Sequence, residues 1–290
     1  MKKNQNNAEQ NVCGLELSQK YQELEQEIEN LGLENSDLEM LIETITEHAD
    51  FIESELEKRN KLIRQIFGRY LTDKVVDKLL ETPEGLRLGG KRQKLTVLTS
   101  DLRSFTPLSE SLDAEIVIKI INTYLSEMIE IIDKYGGNIN NFLGDGILVL
   151  FGVPNAGEDD SERAVACALD MQLAMENLNR KLENDGMPPL EMGIAVNTGE
   201  VVVGNVGSEK KAQFTVVGHH INVAFRIESF SKAGEILISD STYQEVEKIV
   251  EIKQEKYVNA KGVSEPIKVY NLEGIKGDYN LSIQSPKNRS

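Results

Sequence analysis

The stretch that decides the fold class is Gly136-Gly-Asn-Ile-Asn-Asn-Phe-Leu-Gly-Asp-Gly-Ile-Leu-Val-Leu-Phe-Gly152. Its second half, Gly146–Phe151, is an apolar run with the length and composition of a buried β-strand. Two glycine signals precede this run. The pair Gly136-Gly137 predicts a tight hairpin, and the glycines on both sides of Asp145 predict a turn that leads into the strand. This part of the chain therefore belongs to a sheet.

Blocks with strand-like and helix-like patterns alternate on both sides of this stretch. The further predicted strands are Lys94–Thr99, Glu191–Asn197, Val201–Val206, Glu235–Ser239 and Lys268–Leu272. The predicted helices are Ala114–Tyr135, Arg163–Leu182 and Ile221–Phe230. A second hairpin signal, Thr198-Gly199-Glu200, separates two of the strands. The alternation predicts a mixed sandwich of sheet and helices, with helices on one or both faces.

The N-terminal part of the chain carries a different pattern. From Leu24 onward, apolar residues recur with alternating steps of four and three over about six heptads, as in a coiled coil. Isoleucine at the a positions and leucine at the d positions favour a parallel dimer, and Asn35 at an a position would fix its register. The alternative is one amphipathic helix that folds back on the rest of the chain, and Gly32, a weak helix former, keeps this alternative open.

These patterns divide the chain into five segments. We predict a disordered Asn/Gln-rich start at 1–20, a coiled coil at 21–66, a connector helix and turn at 67–90, a globular domain at 91–275 and a flexible tail at 276–290.

Composition and charge exclude several classes of function. The formal net charge of −16 argues against a broad electrostatic grip on nucleic acid or on an anionic membrane. No segment approaches the ~20 apolar residues of a membrane span, and the N-terminus lacks the apolar run of a secretory signal, so we expect a cytoplasmic protein. With only 2 Cys and 3 His, a disulfide framework or a Cys/His metal cluster is not expected.

Two aspartates stand where predicted strands meet turns. Asp101 follows the strand Lys94–Thr99, and Asp145 precedes the strand Gly146–Phe151. A carboxylate at the end of a buried strand is costly unless it is solvated, paired or bound to a cation. Two of them on neighbouring strands would suit Mg²⁺ or Mn²⁺ shared with phosphate oxygens. The alternative is that each aspartate only caps its turn.

A third block, Phe214–Arg226, brings an amide and a guanidinium together. Asn222 and Arg226 are four residues apart on a predicted helix, so their side chains lie on one face. The planar fork of an arginine fits phosphoryl oxygens, and an asparagine fits a sugar hydroxyl. The alternative is a surface pair on a helix that binds no ligand.

Together, these motifs resemble the class III nucleotidyl cyclase catalytic domain, the family of adenylate and guanylate cyclases. The resemblance runs from about Lys91 to Leu272 through five motifs in the family's order. They are VLTSDLRSFT, GGNINNFLGDGILVLFG, GIAVNTGEVVVGNVG, FTVVGHHINVAFR and AKGVSEPIKVY. The resemblance implies an α+β fold with a ferredoxin-like βαββαβ core. It also implies a head-to-tail homodimer whose active sites are shared between the two copies.

The resemblance assigns roles to single residues. The family's metal-binding aspartates fall on Asp101 and Asp145, and the backbone carbonyl of Leu102 would complete the ligands of one of two divalent cations, Mg²⁺ or Mn²⁺. Asn222 would orient the ribose and Arg226 would contact the α-phosphate. The phosphate-binding lysine falls on Lys261, and its nearest rival is Lys256, five residues earlier.

The residues that would select the base depart from the family pattern. Adenylate cyclases usually carry Lys at the position of Asn141, and guanylate cyclases carry Glu. Thr215 matches the subgroup of adenylate cyclases in which Thr replaces Asp, some of whose members respond to bicarbonate. An asparagine amide both donates and accepts, so it can face either purine. The assignment to ATP therefore rests mainly on Thr215.

We therefore expect an adenylate cyclase that makes 3′,5′-cyclic AMP and pyrophosphate in intracellular signalling. The alternatives are a guanylate or dual-specificity cyclase, and a weakly active nucleotide-binding or regulatory module on a coiled-coil scaffold. A diguanylate-type or polymerase-type palm domain shares the expected core, because fold alone does not determine function. The sequence lacks the GGDEF-like turn of such a domain, since Gly136-Gly137 leads into Asn-Ile-Asn.

Overall fold

The computed structural model describes residues 2–67, 88–208, 210–259 and 266–283. The chain divides into two compact units, Met1–Ile66 and Phe67–Ser290, and each is described by itself. Most of the predicted connector, residues 68–87, lies outside the described residues.

The first unit is one long helix, α1 (Lys2–Phe67). It includes residues 2–20, where the sequence analysis expected disorder. Once a helix is nucleated, each further residue gains a backbone hydrogen bond and needs little apolar burial. An Asn/Gln-rich start can therefore continue the helix. The predicted seam residues Leu24, Ile28 and Ile42 are more than half exposed in the single chain. The coiled coil therefore stays a prediction.

The second unit consists of a sheet with short and long helices. Its described strands are β1 (Gly89–Leu102), β2 (Asn138–Leu143), β3 (Gly146–Phe151), β4 (Met192–Ser208), β5 (Lys211–Val217), β6 (Ile236–Ser239), β7 (Val250–Val258), β8 (Ile267–Ile275) and β9 (Leu281–Ser282). Its described helices are α2 (Phe105–Glu110), α3 (Ala114–Lys134), α4 (Asp160–Asn184), α5 (His219–Glu228) and α6 (Asp240–Val246).

The strand order confirms the expected core. The sheet runs β2-β3-β1-β4-β6-β8-β7, with β5 paired to β4 and β9 paired to β8. Strands β2, β3, β1 and β4 are antiparallel neighbours, and helices α3 and α4 make the two crossovers between them. This is a ferredoxin-like βαββαβ arrangement in an α+β fold, as predicted. Strand β6 then adds to β4 in parallel.

Strand β1 shows how the sheet buries both of its faces. Leu98 and Leu102 belong to the core under helices α3 and α4, while Leu95 and Val97 belong to a second core on the opposite face. Successive side chains of a strand point to opposite faces, so residues 95–100 of β1 are buried on both faces of the sheet. Strand β5 and helix α5 contribute residues to the second core.

Both predicted hairpins are wrong, for different reasons. Gly136 and Gly137 end helix α3, because their N–H groups donate to Asp133 and Ile132 at 2.9 Å each and Gly136 has a φ of 66°. This is a glycine helix terminus. Strand β4 runs straight through Gly199. A side chain at Gly199 would clash with the imidazole of His220, so this glycine provides space and not a turn.

Strands β2, β5 and β7 were missed, and the tail is partly ordered. Strand β5 overlaps the start of the block Phe214–Arg226, of which only the later part was predicted, as a helix. Strand β7 has a mixed sequence without a clear alternation of apolar and polar residues. Beyond residue 275, the predicted flexible tail forms β9, and Tyr279 packs against Tyr135 with ring centroids 5.9 Å apart. Within the described residues, no helix is long and apolar enough to cross a membrane.

Candidate functional site

The two predicted metal-binding aspartates lie side by side at one end of β1. Asp101 is the second-last residue of β1, and Asp145 occupies the turn between β2 and β3. The antiparallel register places Ser100 opposite Ile147, so this turn lies next to Asp101. Gly146 permits the approach, because an added Cβ would lie 3.0 Å from the carbonyl oxygen of Ser100 and 3.4 Å from Oδ1 of Asp101. We call this pair the acidic corner.

The electrostatics of the acidic corner fit a bound cation. Burial raises the pKa of Asp101 above its usual value, and the nearby carboxylate of Asp145 raises it further, while Arg103 lowers it. Two neighbouring half-buried carboxylates repel each other, and a cation between them would relieve this repulsion. The described residues hold no group of three or more His, Cys, Asp or Glu side chains placed for a metal. Further ligands would be water, phosphate or backbone oxygens.

Leu102 is the last residue of β1 and lies opposite Met192 of β4. Its hydrocarbon side chain is buried and has no donor atom, so only its backbone carbonyl could serve as a ligand. The role of its carbonyl group stays a prediction.

Sequence reasoning missed Arg103, which connects the acidic corner to helix α5. Its guanidinium lies 3.9 Å from Oδ2 of Asp101 and forms an ion pair with the carboxylate of Glu228, the last residue of α5. Gly193 leaves the space, because a Cβ there would lie 2.7 Å from Nε of Arg103. The sequence places Arg103 two residues after Asp101, but no local pattern indicates its distant partner.

Helix α5 presents the predicted amide and guanidinium on its outer face. Asn222 is exposed and Arg226 is half-buried, whereas Val223, Ala224 and Ile227 pack inward. In the described part of the chain, neither the Asn222 amide nor the Arg226 guanidinium has a hydrogen bond or ion pair to another side chain. The charged groups that act on Asp101 are Asp145 and Arg103, and not Arg226. One chain thus gathers the carboxylates but does not pair them with Arg226.

The start of α5 is anchored to strand β4. Nδ2 of Asn197 donates to the backbone oxygen of His220 at 2.8 Å, and Oδ1 of Asn197 accepts from Ser241 at 3.3 Å. Asn197 is buried, so this bond has little competition from water. The anchor fixes the first turn of the helix that carries Asn222.

The predicted base-selecting residues lie on different strands. Asn141 is on β2 and is half-buried; Thr215 is on β5 and is also half-buried. A residue that the sequence analysis did not consider, Gln213, donates from Nε2 to Oδ1 of Asn141 at 3.3 Å. Its polar side chain carried no signal, because the contact spans strands that are distant in sequence.

Lys261 lies outside the described residues, so its predicted role stays a prediction. Its rival Lys256 is on β7, and its Nζ lies 2.8 Å from both carboxylate oxygens of Glu235. A lysine held in this way is less available for a phosphate.

Comparison with known proteins identifies relatives of the second unit. The family model for the "Adenylate and Guanylate cyclase catalytic domain" matches residues 90–274. Among curated proteins, the chain is 30% identical over 227 residues to an adenylate cyclase of Anabaena cylindrica, covering 74% of this chain and 44% of that protein. It is 28% identical over 214 residues to adenylate cyclase 1 of Rhizobium meliloti, covering 72% of this chain and 32% of that protein. The chain thus spans less than half the length of these relatives.

Solved structures with the same fold include one protein named a guanylyl cyclase and one named an adenylyl cyclase. The guanylyl cyclase Cya2 is 47% identical, with a TM-score of 0.66, over 68% of this chain and 100% of that one. The adenylyl cyclase CyaB from P. aeruginosa is 39% identical, with a TM-score of 0.63, over 66% of this chain and 99% of that one.

Proposed function

The chain belongs to the adenylate and guanylate cyclase catalytic domain family, and we propose that it converts ATP into 3′,5′-cyclic AMP and pyrophosphate in intracellular signalling. The observation that carries the proposal is the acidic corner, where Asp101 and Asp145 meet at the end of β1. Such a pair has a clear use in phosphoryl transfer and no evident structural one, because it raises the electrostatic cost of folding.

The acidic corner would hold two divalent cations, Mg²⁺ or Mn²⁺, with the carbonyl group of Leu102 as a further ligand. When bound, such cations lower the pKa of a substrate hydroxyl and offset charge on a pyrophosphate leaving group. The chain itself supplies positioning and charge. Asn222 orients the ribose, Arg226 meets the charge that builds on the α-phosphate, and Lys261 binds the terminal phosphates. No protein nucleophile is required.

The proposed active unit is a homodimer with head-to-tail catalytic domains. Two observations support the homodimer. Asn222 and Arg226 have no side-chain partners in the described part of one chain, and Asp101 and Asp145 are not paired with Arg226 in that chain. A second copy would bring each pair to the other. Helix α1 would add a parallel coiled coil, with Asn35 in the seam, because its exposed isoleucines and leucines follow the heptad pattern.

The substrate assignment to ATP rests on Thr215 and on the two curated relatives that are named adenylate cyclases. GTP is the second candidate, because the 47% identical structure is named a guanylyl cyclase. A catalytically weak module is less consistent with the sequence, since Asp101, Asp145, Asn222 and Arg226 are all present. Bicarbonate is a candidate input through the subgroup that Thr215 matches.

The test is to incubate the purified protein with ATP or GTP, together with Mn²⁺ or Mg²⁺, and to quantify both cyclic products. We expect cyclic AMP to dominate. Asn141→Lys should raise the preference for ATP, because an ammonium group donates to N1 of adenine and is repelled by the N1–H of guanine. An unchanged ATP/GTP ratio in this variant would contradict the placement of Asn141 at the base. The absence of both products would contradict the proposed activity.

A further inference from the structure

Helix α5 begins with two histidines, and the second of them packs on strand β4. His220 is the second residue of α5 and stands two positions before Asn222. Its imidazole lies over the backbone of Gly199, where an added Cβ would overlap with the ring. The side chain of His220 is half-buried, whereas that of His219 is exposed. The imidazole of His220 is therefore part of the contact between α5 and the sheet.

One buried amide contacts both the backbone and the ring of His220. Nδ2 of Asn197 donates to the backbone oxygen of His220 at 2.8 Å and lies 3.4 Å from Nδ1 of the imidazole. A backbone oxygen only accepts, so the NH₂ group of Asn197 faces His220, and its second hydrogen can point to Nδ1. A ring nitrogen that accepts from a donor carries no hydrogen. The contact therefore fits a neutral imidazole with its hydrogen on Nε2.

The charges around the imidazole also favour its neutral form. Burial lowers the pKa of His220 below its usual value, and His219, whose ring centroid is 5.8 Å away, lowers it further. The positive end of the helix dipole acts in the same direction. Glu200 of β4 raises this pKa, but its carboxylate is also paired with Arg92 of β1 at 3.1 Å. Strand β6, which packs against the inner face of α5, contains no titratable residue.

We propose that His220 is a positioning residue for Asn222 and Arg226, and that a proton on its imidazole releases the start of α5 and slows turnover in acid. This inference rests on the proposed function and deepens it. A hydrogen on Nδ1 would face the NH₂ group of Asn197, and two donors repel each other. If the amide turned, its oxygen would face the backbone oxygen of His220 instead. In both cases the first turn of α5 loses its anchor, and the two side chains that would meet the nucleotide lose their fixed position.

The main variant is His220→Asn, because its side-chain oxygen can replace Nδ1 as an acceptor but does not titrate. The measurement is kcat for cyclic nucleotide formation with Mn²⁺ at saturating substrate, for the variant and for the unmodified protein. Effects of pH on the substrate, the cation and the acidic corner are shared, so they cancel in the ratio of the two kcat values. We expect the ratio of variant to unmodified protein to rise about threefold between about pH 7.5 and about pH 5.5, because only the unmodified protein loses its anchor.

Two neighbouring variants should shift the acid limit, the pH below which turnover falls, in opposite directions. His219→Asn removes a group that lowers the pKa of His220, so the acid limit should move to higher pH. Glu200→Gln removes the group that raises this pKa, so the acid limit should move to lower pH. A loss of packing alone would lower turnover at every pH and would not produce shifts of opposite sign.

The contact can also be measured without the reaction. The protein has 3 His, so NMR can follow each imidazole, and His220→Asn identifies the signal of His220. We expect a neutral ring with its hydrogen on Nε2 and a pKa below about 6.5. Because this pKa is lower in the folded protein, the unfolded chain binds more protons, and the free energy of unfolding should fall as the pH falls from about 6.5 through the folded pKa. His220→Asn should lack this part of the loss.

The results separate this inference from the proposed function. The absence of cyclic products at neutral pH would contradict the proposed function, whereas NMR and unfolding would still report the contact between His220 and Asn197. An active protein whose kcat ratio stays constant on acidification would overturn the positioning role of His220 alone. A neutral imidazole with its hydrogen on Nδ1, or shifts of the same sign in His219→Asn and Glu200→Gln, would overturn it as well.

Discussion

The acidic corner and the outer face of helix α5 differ in how far one chain completes them. At the acidic corner, Asp101 has two charged neighbours, Asp145 and Arg103, and its pKa responds to both. On the outer face of α5, Asn222 and Arg226 have no side-chain partner within the described residues. The first region is a built cluster with excess negative charge, and the second presents unused donors. One chain thus contains two regions of complementary charge, which are the half-sites of the proposed dimer.

This difference indicates where catalytic power would come from. A carboxylate pair concentrates cations, but the arginine that meets the transition state must arrive from elsewhere. If that arginine belongs to a second copy, dimer formation is itself a step in assembling the site. Four kinds of change probe this arrangement: removal of one half-site, mixing of copies that each lack a different half-site, loss of the ion pair between Arg103 and Glu228, and weakening of the dimer contact.

Removing Asp101 should have the largest effect. Asp101→Ala deletes half of the acidic corner, and we expect turnover to fall by at least about a thousandfold, since loss of a metal ligand removes several kcal/mol of transition-state stabilisation. The measurement is the rate of cyclic nucleotide formation with Mn²⁺. Asp113→Ala, which removes an exposed aspartate before α3, is the control and should stay active. Residual activity near the control would mean that Asp101 binds no essential cation.

Mixing two inactive variants should restore part of the activity. An Asp101→Ala copy retains Asn222 and Arg226, and an Arg226→Ala copy retains the acidic corner. In a two-fold dimer of the mixed variants, one of the two sites is intact, so an equal mixture should regain about a quarter of the original rate. The measurement is activity after the copies are mixed and allowed to exchange. A mixture that remains inactive would indicate that each site is built from a single chain.

The sequence predicted the parts of this picture that depend on local patterns. The apolar run Gly146–Phe151 and the glycines around Asp145 were sufficient for the strand and its turn. Gly136 and Gly199 were misinterpreted because a glycine can serve a helix end or a neighbouring imidazole as readily as a hairpin. Only the partner in space distinguishes these uses, and single-sequence reasoning does not contain it.

The site shows the same limit. The motifs predicted Asp101, Asp145, Asn222 and Arg226 as candidates, because their residue types and spacing follow the chemistry, and the structure places the first two side by side. Arg103 and Gln213 were missed, because their roles lie in contacts with Glu228 and Asn141 that are far away along the chain. Long-range pairs of this kind depend on sheet order and register, which local periodicity does not fix.

Removing Arg103, which connects Asp101 to the end of helix α5, should have an intermediate effect. Arg103→Ala leaves the carboxylate of Glu228 largely buried without its ion-pair partner, and we expect a loss of about 2 kcal/mol in the free energy of unfolding. Urea unfolding measures this loss. Lys119→Ala, which breaks an exposed pair with Asp185, should cost less than about 1 kcal/mol. Equal losses would show that Arg103 and Glu228 behave as a surface pair.

Replacing both partners separates stability from positioning. Arg103→Met combined with Glu228→Met leaves no buried carboxylate at residue 228 without a partner, so stability should recover toward that of the unmodified protein. Turnover should stay about tenfold low, because Asp101 and α5 are no longer held by a common side chain. Full recovery of turnover would mean that the ion pair contributes only to stability.

Weakening the predicted coiled coil should have the smallest effect, and only in dilute solution. Truncation before Leu62 should lower specific activity severalfold at nanomolar protein and leave it nearly unchanged at high concentration. At high concentration, the catalytic domains would associate without the help of helix α1. Unchanged activity at nanomolar protein would contradict this role for the helix. Activity measured over a dilution series provides the test.

A matched pair of point variants distinguishes the seam from mere exposure. Ile42 and Met40 are exposed to similar degrees in the single chain, at 62% and 57%. Only Ile42 lies at an a position of the heptads, while Met40 lies at an f position that points away from a partner. Ile42→Asp should therefore reproduce the dilution effect and Met40→Asp should not. If both variants behave alike, the apolar stripe of α1 does not pair with a second copy, and the half-sites must meet through the catalytic domains alone.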